Sequence, residues 1–316
     1  MKKIILVFTL LLFAGVSWGA ESPTVVVSIK PIHSLVAGVM EGVGEPQLLI
    51  KTGSPHGYIQ RPSEAQALAK ADLVVWVGHR LESFLEKPLT TLGRSARQLE
   101  LSELLESEML PVREGGSWET HSHVHDGDEH EGHGHDGHEH HAHGHGELDQ
   151  HIWLSPMLAQ RIVAVVAAEL SSVDPGNSKV YTVNAARLTE RLQQLDAELK
   201  TRLAPVRDIP YLVFHAAYQY FEAAYDLNAI GSISVDPERK PGAKRLLELR
   251  EKIKQLNARC VFSEPQFEPR LVATVIEGTG ARAGELDPIG AELKPGAESY
   301  FQLLTKLADD LLEGLR

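Results

Sequence analysis

The sequence predicts an α/β protein built as two Rossmann-like lobes with parallel sheets, joined by one long rigid helix. Short β-rich runs alternate with helical stretches from Thr24 to Val77, and again from Tyr211 to Leu315. That order builds parallel sheets covered on both faces. Between the two runs, residues 178–203 keep apolar residues at helical spacing and contain no Pro or Gly. The length of 316 residues suffices for two ordinary domains, and a hydrophobic share of 43% is enough to bury real cores.

In the first run, Thr24–Ile29 (TVVVSI) reads as a buried strand and His33–Met40 as the helix after it. Gln47–Ile50 is a short strand, Pro62–Ala69 a helix and Asp72–Val77 (DLVVWV) another strand. The pattern then breaks. Residues 114–147 are almost wholly Gly, His, Asp and Glu, and eleven of the sixteen histidines lie between His121 and His145. Such a segment cannot bury enough surface to offset its ordering entropy and is expected to be disordered without metal. Ser155–Val173 reads as a helix. Asp174 and Pro175 then form a good helix start, an N-cap followed by Pro at the first position. The helix that follows buries Val180, Val183, Ala186, Leu188, Leu192, Leu195 and Leu199 on this reading. It is roughly 40 Å long at 1.5 Å per residue, and Pro205 closes it.

The second run places strands at Tyr211–Phe214, Ala229–Val235, Arg259–Ser263 and Arg282–Leu286. Helices fall at Ala217–Tyr225, Ala243–Leu256, Glu268–Glu277 and Ser299–Leu315. The expected organisation is a signal peptide over 1–20, a first lobe over 21–173, a connecting helix over 174–205 and a second lobe over 206–316. Lys2 and Lys3 give residues 1–20 a basic start, Ile4–Val16 is apolar, and small residues follow at Ser17, Gly19 and Ala20. That pattern suits cleavage after export better than a membrane span. No other stretch reads as long and apolar enough to cross a bilayer. Cys260 is the only cysteine, so neither an intrachain disulfide nor a lipid-bearing Cys at the signal junction is available. The expected product is an exported periplasmic monomer without a membrane anchor. A net charge of −12 argues against nucleic acid and favours cations.

Four candidate ligands sit just beyond predicted strands or at helix openings: His56 in GSPHGY, His151 in DQHIWLSP, His215 in YLVFHAAY and Asp287 in GELDPIG. Ligands of open α/β sheets gather at the carboxyl ends of strands. Two of the four come from each half, so a shared site would lie between the lobes. Three imidazoles and one carboxylate suit Zn²⁺, whereas Mn²⁺ favours more oxygen. Phe214 and Trp153 stand beside two of the histidines and can supply a dry shell. Singly, each residue has a plainer reading as a surface, core or turn residue, and His33 and His79 are left there. The glycines of GTGARAG lead into a strand and do not form a phosphate loop.

The runs SPHGYIQRPSEAQALAKADLVVWVG, HIWLSP, VFHAAYQYFEAAYDL, SEPQF and LDPIG stand in order over nearly the whole mature chain. Together they resemble the zinc-uptake (ZnuA-like) branch of the metal-binding receptors that serve ABC importers. The resemblance implies two α/β lobes, a rigid connecting helix, one Zn²⁺ site in the cleft, and a membrane permease as partner. It places the motif histidines on His56, His151 and His215 and the motif Asp on Asp287. Manganese-type relatives often carry Glu where His215 stands. Two departures follow. The partner of the Cys that some zinc members bridge at the position of Cys260 is absent, and Pro55 stands where some place Glu before the first motif His. The fourth ligand is therefore Asp287 or water. His121, His123, His125, His130, His133, His135, His138, His140, His141, His143 and His145 read as a weaker, auxiliary metal collector, or else as a solvated linker. A zinc hydrolase and a His-rich zinc buffer or adhesin are the competing functions. No HExxH helix or obvious general base supports the hydrolase.

Overall fold

The computed structural model describes residues 22–113, 147–234, 237, 241–267 and 270–316. The expected signal peptide and the eleven auxiliary histidines lie outside the described residues. The first sheet is laid down by β1 (Val25–Val27), α1 (Lys30–Val39), β2 (Gln47–Leu48), α2 (Pro62–Lys70), β3 (Leu73–Trp76), α3 (Ser83–Thr91), β4 (Arg97–Glu100) and the short α4 (Leu101–Leu104). Its strands are parallel in the order β2-β1-β3-β4. β1 and β3 are continuous Val- and Leu-rich runs because both faces of the sheet are covered. The element pair α3–β4 is absent from the sequence reading. Pro88 sits inside α3, and β4 (RQLE) buries only Leu99 well, as an edge strand does.

Next comes α5 (Pro156–Val173), whose N-cap Ser155 accepts a hydrogen bond from the Leu158 amide at 3.2 Å. α5 corrects one expectation: with 18 residues it is long and apolar enough to span a membrane by length and composition. Its apolar character serves packing instead, because Leu158, Ile162, Val163, Val166 and Leu170 are buried and the helix lies against α6 (Ser178–Leu203) and α1. α6 runs unbroken for 26 residues, about 39 Å. It does not begin at Asp174. Pro175–Asn177 forms a single 3-10 turn, and the Asp174 carboxylate accepts from the Asn177 amide and the Tyr181 hydroxyl. Leu188, Leu192, Leu195 and Leu199 are buried as expected, but the first two turns bury other residues. Tyr181 and Asn184 face inward, while Val180, Val183 and Ala186 are exposed. Asn184 earns its burial by donating to the carbonyls of Val39 and Glu41 at 2.9 and 2.8 Å, closing the free end of α1.

The second sheet is built from β5 (Tyr211–His215), α7 (Gln219–Tyr225), β6 (Ala229–Ser234), α8 (Ala243–Gln255), β7 (Cys260–Ser263), α9 (Arg270–Ile276) and β8 (Arg282–Glu285), with α10 (Ser299–Leu315) last. It repeats the parallel arrangement in the order β6-β5-β7-β8. One hydrophobic core runs through the first sheet, α1, α5, α6, the inner face of the second sheet and α10. A separate cluster (Leu212, Phe214, Leu249, Val261, Val272 and neighbours) fills the outer face beneath α8 and α9. The segment before α10 is tied to the first half. Lys30 Nζ donates to the carbonyls of Gly290 and Ala291 at 2.6 and 2.7 Å, and Ser34 Oγ to that of Ala297 at 3.0 Å. Tyr300 Oη donates to the Trp153 carbonyl and Trp153 Nε1 to the Pro288 carbonyl, each at 2.7 Å.

Candidate metal centre

His215 is the last residue of β5, at the carboxyl edge of the second sheet. His151 caps the 3-10 turn Ile152–Leu154 that leads into α5. His56 stands on the loop between β2 and α2, where its amide donates to Ser54 Oγ at 3.3 Å. The three rings form a near-equilateral triangle, with centroids 5.4, 5.6 and 5.2 Å apart for 56–151, 56–215 and 151–215. One ring nitrogen from each lies within 4.8 Å of the other two.

Two carboxylates set the chemistry of this triangle. Asp149 Oδ1 lies 2.7 Å from His151 Nδ1, and Glu264 Oε1 lies 2.6 Å from His215 Nδ1. An ionised carboxylate only accepts, so each Nδ1 donates, and Nε2 is left as the atom of each ring that can face an ion. Those two Nε2 atoms face one another at 3.3 Å. Two ring nitrogens at that distance share an electrophile, a proton or a metal ion. The carboxylate-backed imidazole is the arrangement that fixes tautomer and orientation around a metal. Burial, together with His151 and His215, pushes the His56 imidazole down to about 2, so it is neutral and able to donate a lone pair.

The surrounding cavity is small, about 10 Å³, and is walled by Pro55, Trp153, Glu264, Phe267, Pro288 and Ile289 besides the histidines. That is room for one water-sized sphere. Trp153 packs its ring 5.3 Å from that of His151. Phe214 does not join the shell. Successive residues of a strand point to opposite faces, so with His215 turned to the cavity Phe214 stacks on Phe267 at 4.8 Å within the outer cluster. Phe267 is the ring that reaches the site, 6.1 Å from His215.

Asp287 is not brought to the triangle. Its Oδ1 accepts from Gln266 Nε2 at 2.8 Å and from the amides of Ile289 and Gly290 at 3.1 and 3.0 Å, and its Oδ2 from the Ala291 amide. The carboxylate is spent on closing its own turn, the plainer reading of an Asp-Pro pair.

Residues 25–314 match the family of the zinc-uptake complex component A, periplasmic. The chain belongs to this family. It is 46% identical to the high-affinity zinc uptake system protein ZnuA of Brucella abortus (strain 2308), over 96% of this chain and 95% of that one. Its identity to the protein of the same name from Yersinia pestis is 36%, over 100% and 98%. Among solved structures, a crystal structure of ZnuA superposes with a TM-score of 0.75 at 25% identity, over 94% of this chain and all of that one (100%). The laminin-binding adhesin of Streptococcus agalactiae shares the fold, with a TM-score of 0.74 at 23% identity, over 93% and 100%.

Within this family member, two residues the sequence reading did not single out are Asp149 and Glu264. Asp149 was within reach, since it stands two residues before His151 and also accepts that residue's amide at 3.0 Å. Glu264 was not, because it lies 49 residues from His215 and meets it only where β7 runs parallel beside β5. His33 and His79 are not part of the triangle. His33 is buried with Nε2 2.9 Å from the Pro46 carbonyl, and His79 is exposed beside Glu100.

Proposed function

We propose that this chain is a periplasmic receptor that captures one Zn²⁺ between its lobes, on His56, His151 and His215, and hands it to the membrane permease of an ABC importer. What carries the reading is the convergence of three imidazole nitrogens, two of the rings held by buried carboxylates. Three nitrogen donors favour Zn²⁺ over Mn²⁺. Water completes the tetrahedron, because Asp287 would have to abandon the donors of its own turn to do so. The lobes of the proposal span 21–173 and 206–316, with 174–205 as the connecting helix and 1–20 as the export signal. The receptor acts as a monomer without a membrane anchor.

A hydrolase would keep the same three ligands and an open position. The cavity supports the receptor reading, since at about 10 Å³ beside the three histidines it fits an ion or a water. Metal titration of the mature chain, with and without residues 119–147, tests the assignment. One tight Zn²⁺ site survives the deletion, and the weaker ones vanish with the auxiliary histidines. Loss of the tight site on deletion would move it from the triangle to the insert.

A further inference from the structure

A second group of donors stands on the first lobe, outside the histidine triangle. The turn after β3 passes through Gly78 and His79. A β-carbon placed on Gly78 would lie 2.1 Å from Ser102 Oγ, 2.9 Å from Gln150 Oε1 and 3.0 Å from Glu100 Oε1. Three oxygens from three separate segments thus crowd over one bare α-carbon, and only glycine leaves them room. His79 Nδ1 joins them, 3.2 Å from Glu100 Oε1. All four residues line one open pocket, with Glu103 and Glu106 at its edge. The guanidinium of Arg80 also lines it, but is engaged by Glu147 at 2.9 Å.

Gln150 is the decisive member. It is only 8% exposed, and its Oε1 has no hydrogen-bond partner among the described residues. Its Nε2 donates to the Leu148 carbonyl at 3.3 Å, which leaves the amide oxygen over Gly78 beside Ser102 Oγ and Glu100 Oε1. A buried carbonyl oxygen without a donor is costly. Its neighbours Glu100 Oε1 and Ser102 Oγ are oxygens, and Ser102 already gives its proton toward Glu100 at 3.3 Å. The His79 amide also donates to Glu100 Oε1, at 3.4 Å, so the nearby donors all converge on that carboxylate and none is left for Gln150 Oε1, which is the condition a cation relieves.

We propose that His79, Glu100 and Gln150, with Ser102 beside them, form a second divalent-cation site, of mixed imidazole and oxygen donors. The ion takes the place of the proton between His79 Nδ1 and Glu100 Oε1, and that proton moves to Nε2 of the same ring. One nitrogen with carboxylate and carbonyl oxygens is a harder set than three imidazoles, so the site binds Zn²⁺ more weakly than the triangle does and discriminates less against Mn²⁺. It lies where the chain leaves for and returns from residues 114–146: Pro111 bridges Leu148, and Leu148 lines the pocket. The site stands on its own donors and does not depend on the function proposed for the triangle.

The test is a titration of the full chain with Zn²⁺, first to one ion per chain and then to excess, read on the ring ¹⁵N resonances of the histidines. His79 Nδ1 is expected to move in a saturable step after His151 and His215 have stopped moving. Glu100→Gln, at a part-exposed position, and Gln150→Met each abolish that step while the shifts of His151 and His215 persist. A His79 ring that stays still in excess zinc overturns the proposal. So does an equal shift in Glu100→Gln, which would leave the ion on a lone surface imidazole. Movement of His79 with His151 and His215 silent would sink the reading of the triangle and leave this one standing.

Discussion

The two sides of the histidine triangle are built differently. His151 and His215 are 8% and 4% exposed and each has its Nδ1 against a carboxylate. His56 sits on a loop, and among the described residues nothing hydrogen-bonds its ring. That loop carries Gly53 at φ 92° and the most exposed large apolar side chain of the structure's described part, Ile59 at 85%. Two rings are therefore preorganised by the carboxylates behind them, and the third is brought to them by a segment with little holding it. The lesson is a division of labour. On the proposed function, the rigid pair sets the geometry, and the loop supplies the part that responds to the ion.

The largest effect should come from removing a preorganised ligand. His215→Ala should weaken Zn²⁺ binding by more than the roughly 10–100-fold that loss of an outer-shell partner costs, and competition with a chelator measures it. Glu264→Gln and Asp149→Asn keep the rings but loosen them, and should each cost about 10–100-fold. If they cost nothing, the carboxylates do not orient the ligands and the contrast between the two sides fails.

The next test bears on motion. Zinc should slow hydrogen exchange in residues 51–61 more than in β5, whose amides are already in a ladder. Scattering profiles of apo and loaded protein should nearly superimpose once the insert is removed. α6 offers no Pro or Gly hinge, Lys30 and Ser34 tie the segment before α10 to the first half, and Tyr300 ties α10 itself. A wide apo opening would overturn this division between a rigid frame and a responsive loop.

Acid should act on the loop ligand. In the unfolded chain, His56 takes a proton as the pH falls through about 6.5. In the fold it is held down to about 2. Between those values the unfolded state binds the extra proton, so the stability of the apo protein falls with pH, by up to about 1.4 kcal/mol per unit. The slope should shrink in His56→Ala, as read from Tm against pH. An unchanged slope would mean that the loop swings His56 into water on protonation.

The smallest effect on binding should come from Asp287→Asn. The change removes a charge from a turn that accepts four hydrogen bonds. It should lower stability by about 1–3 kcal/mol and leave zinc affinity within a few-fold. A large loss of affinity would return Asp287 to the ligand set.

The sequence by itself determined the alternation of strands and helices, the long unbroken helix and the three histidines at strand ends and turns. Periodicity and Pro placement are local, and Ser299–Leu315 was legible to the residue for that reason. It could not determine which residues the first two turns of α6 bury. Val180 and Val183 fit the spacing as well as Tyr181 and Asn184, and the choice was made by the end of α1 needing donors and by Asp174 accepting the Tyr181 hydroxyl. Nor could it divide the carboxylates. Asp287 and Glu264 are both acids just past parallel strands. Only the packing of β7 beside β5 turned Glu264 to His215, while the turn after Asp287 folded its own amides onto that carboxylate. Chain-local spacing fixes which residues can be ligands. Asp149 behind His151 is local, whereas the acid behind His215 depends on a contact between segments far apart in sequence, which exists only once β7 has packed beside β5.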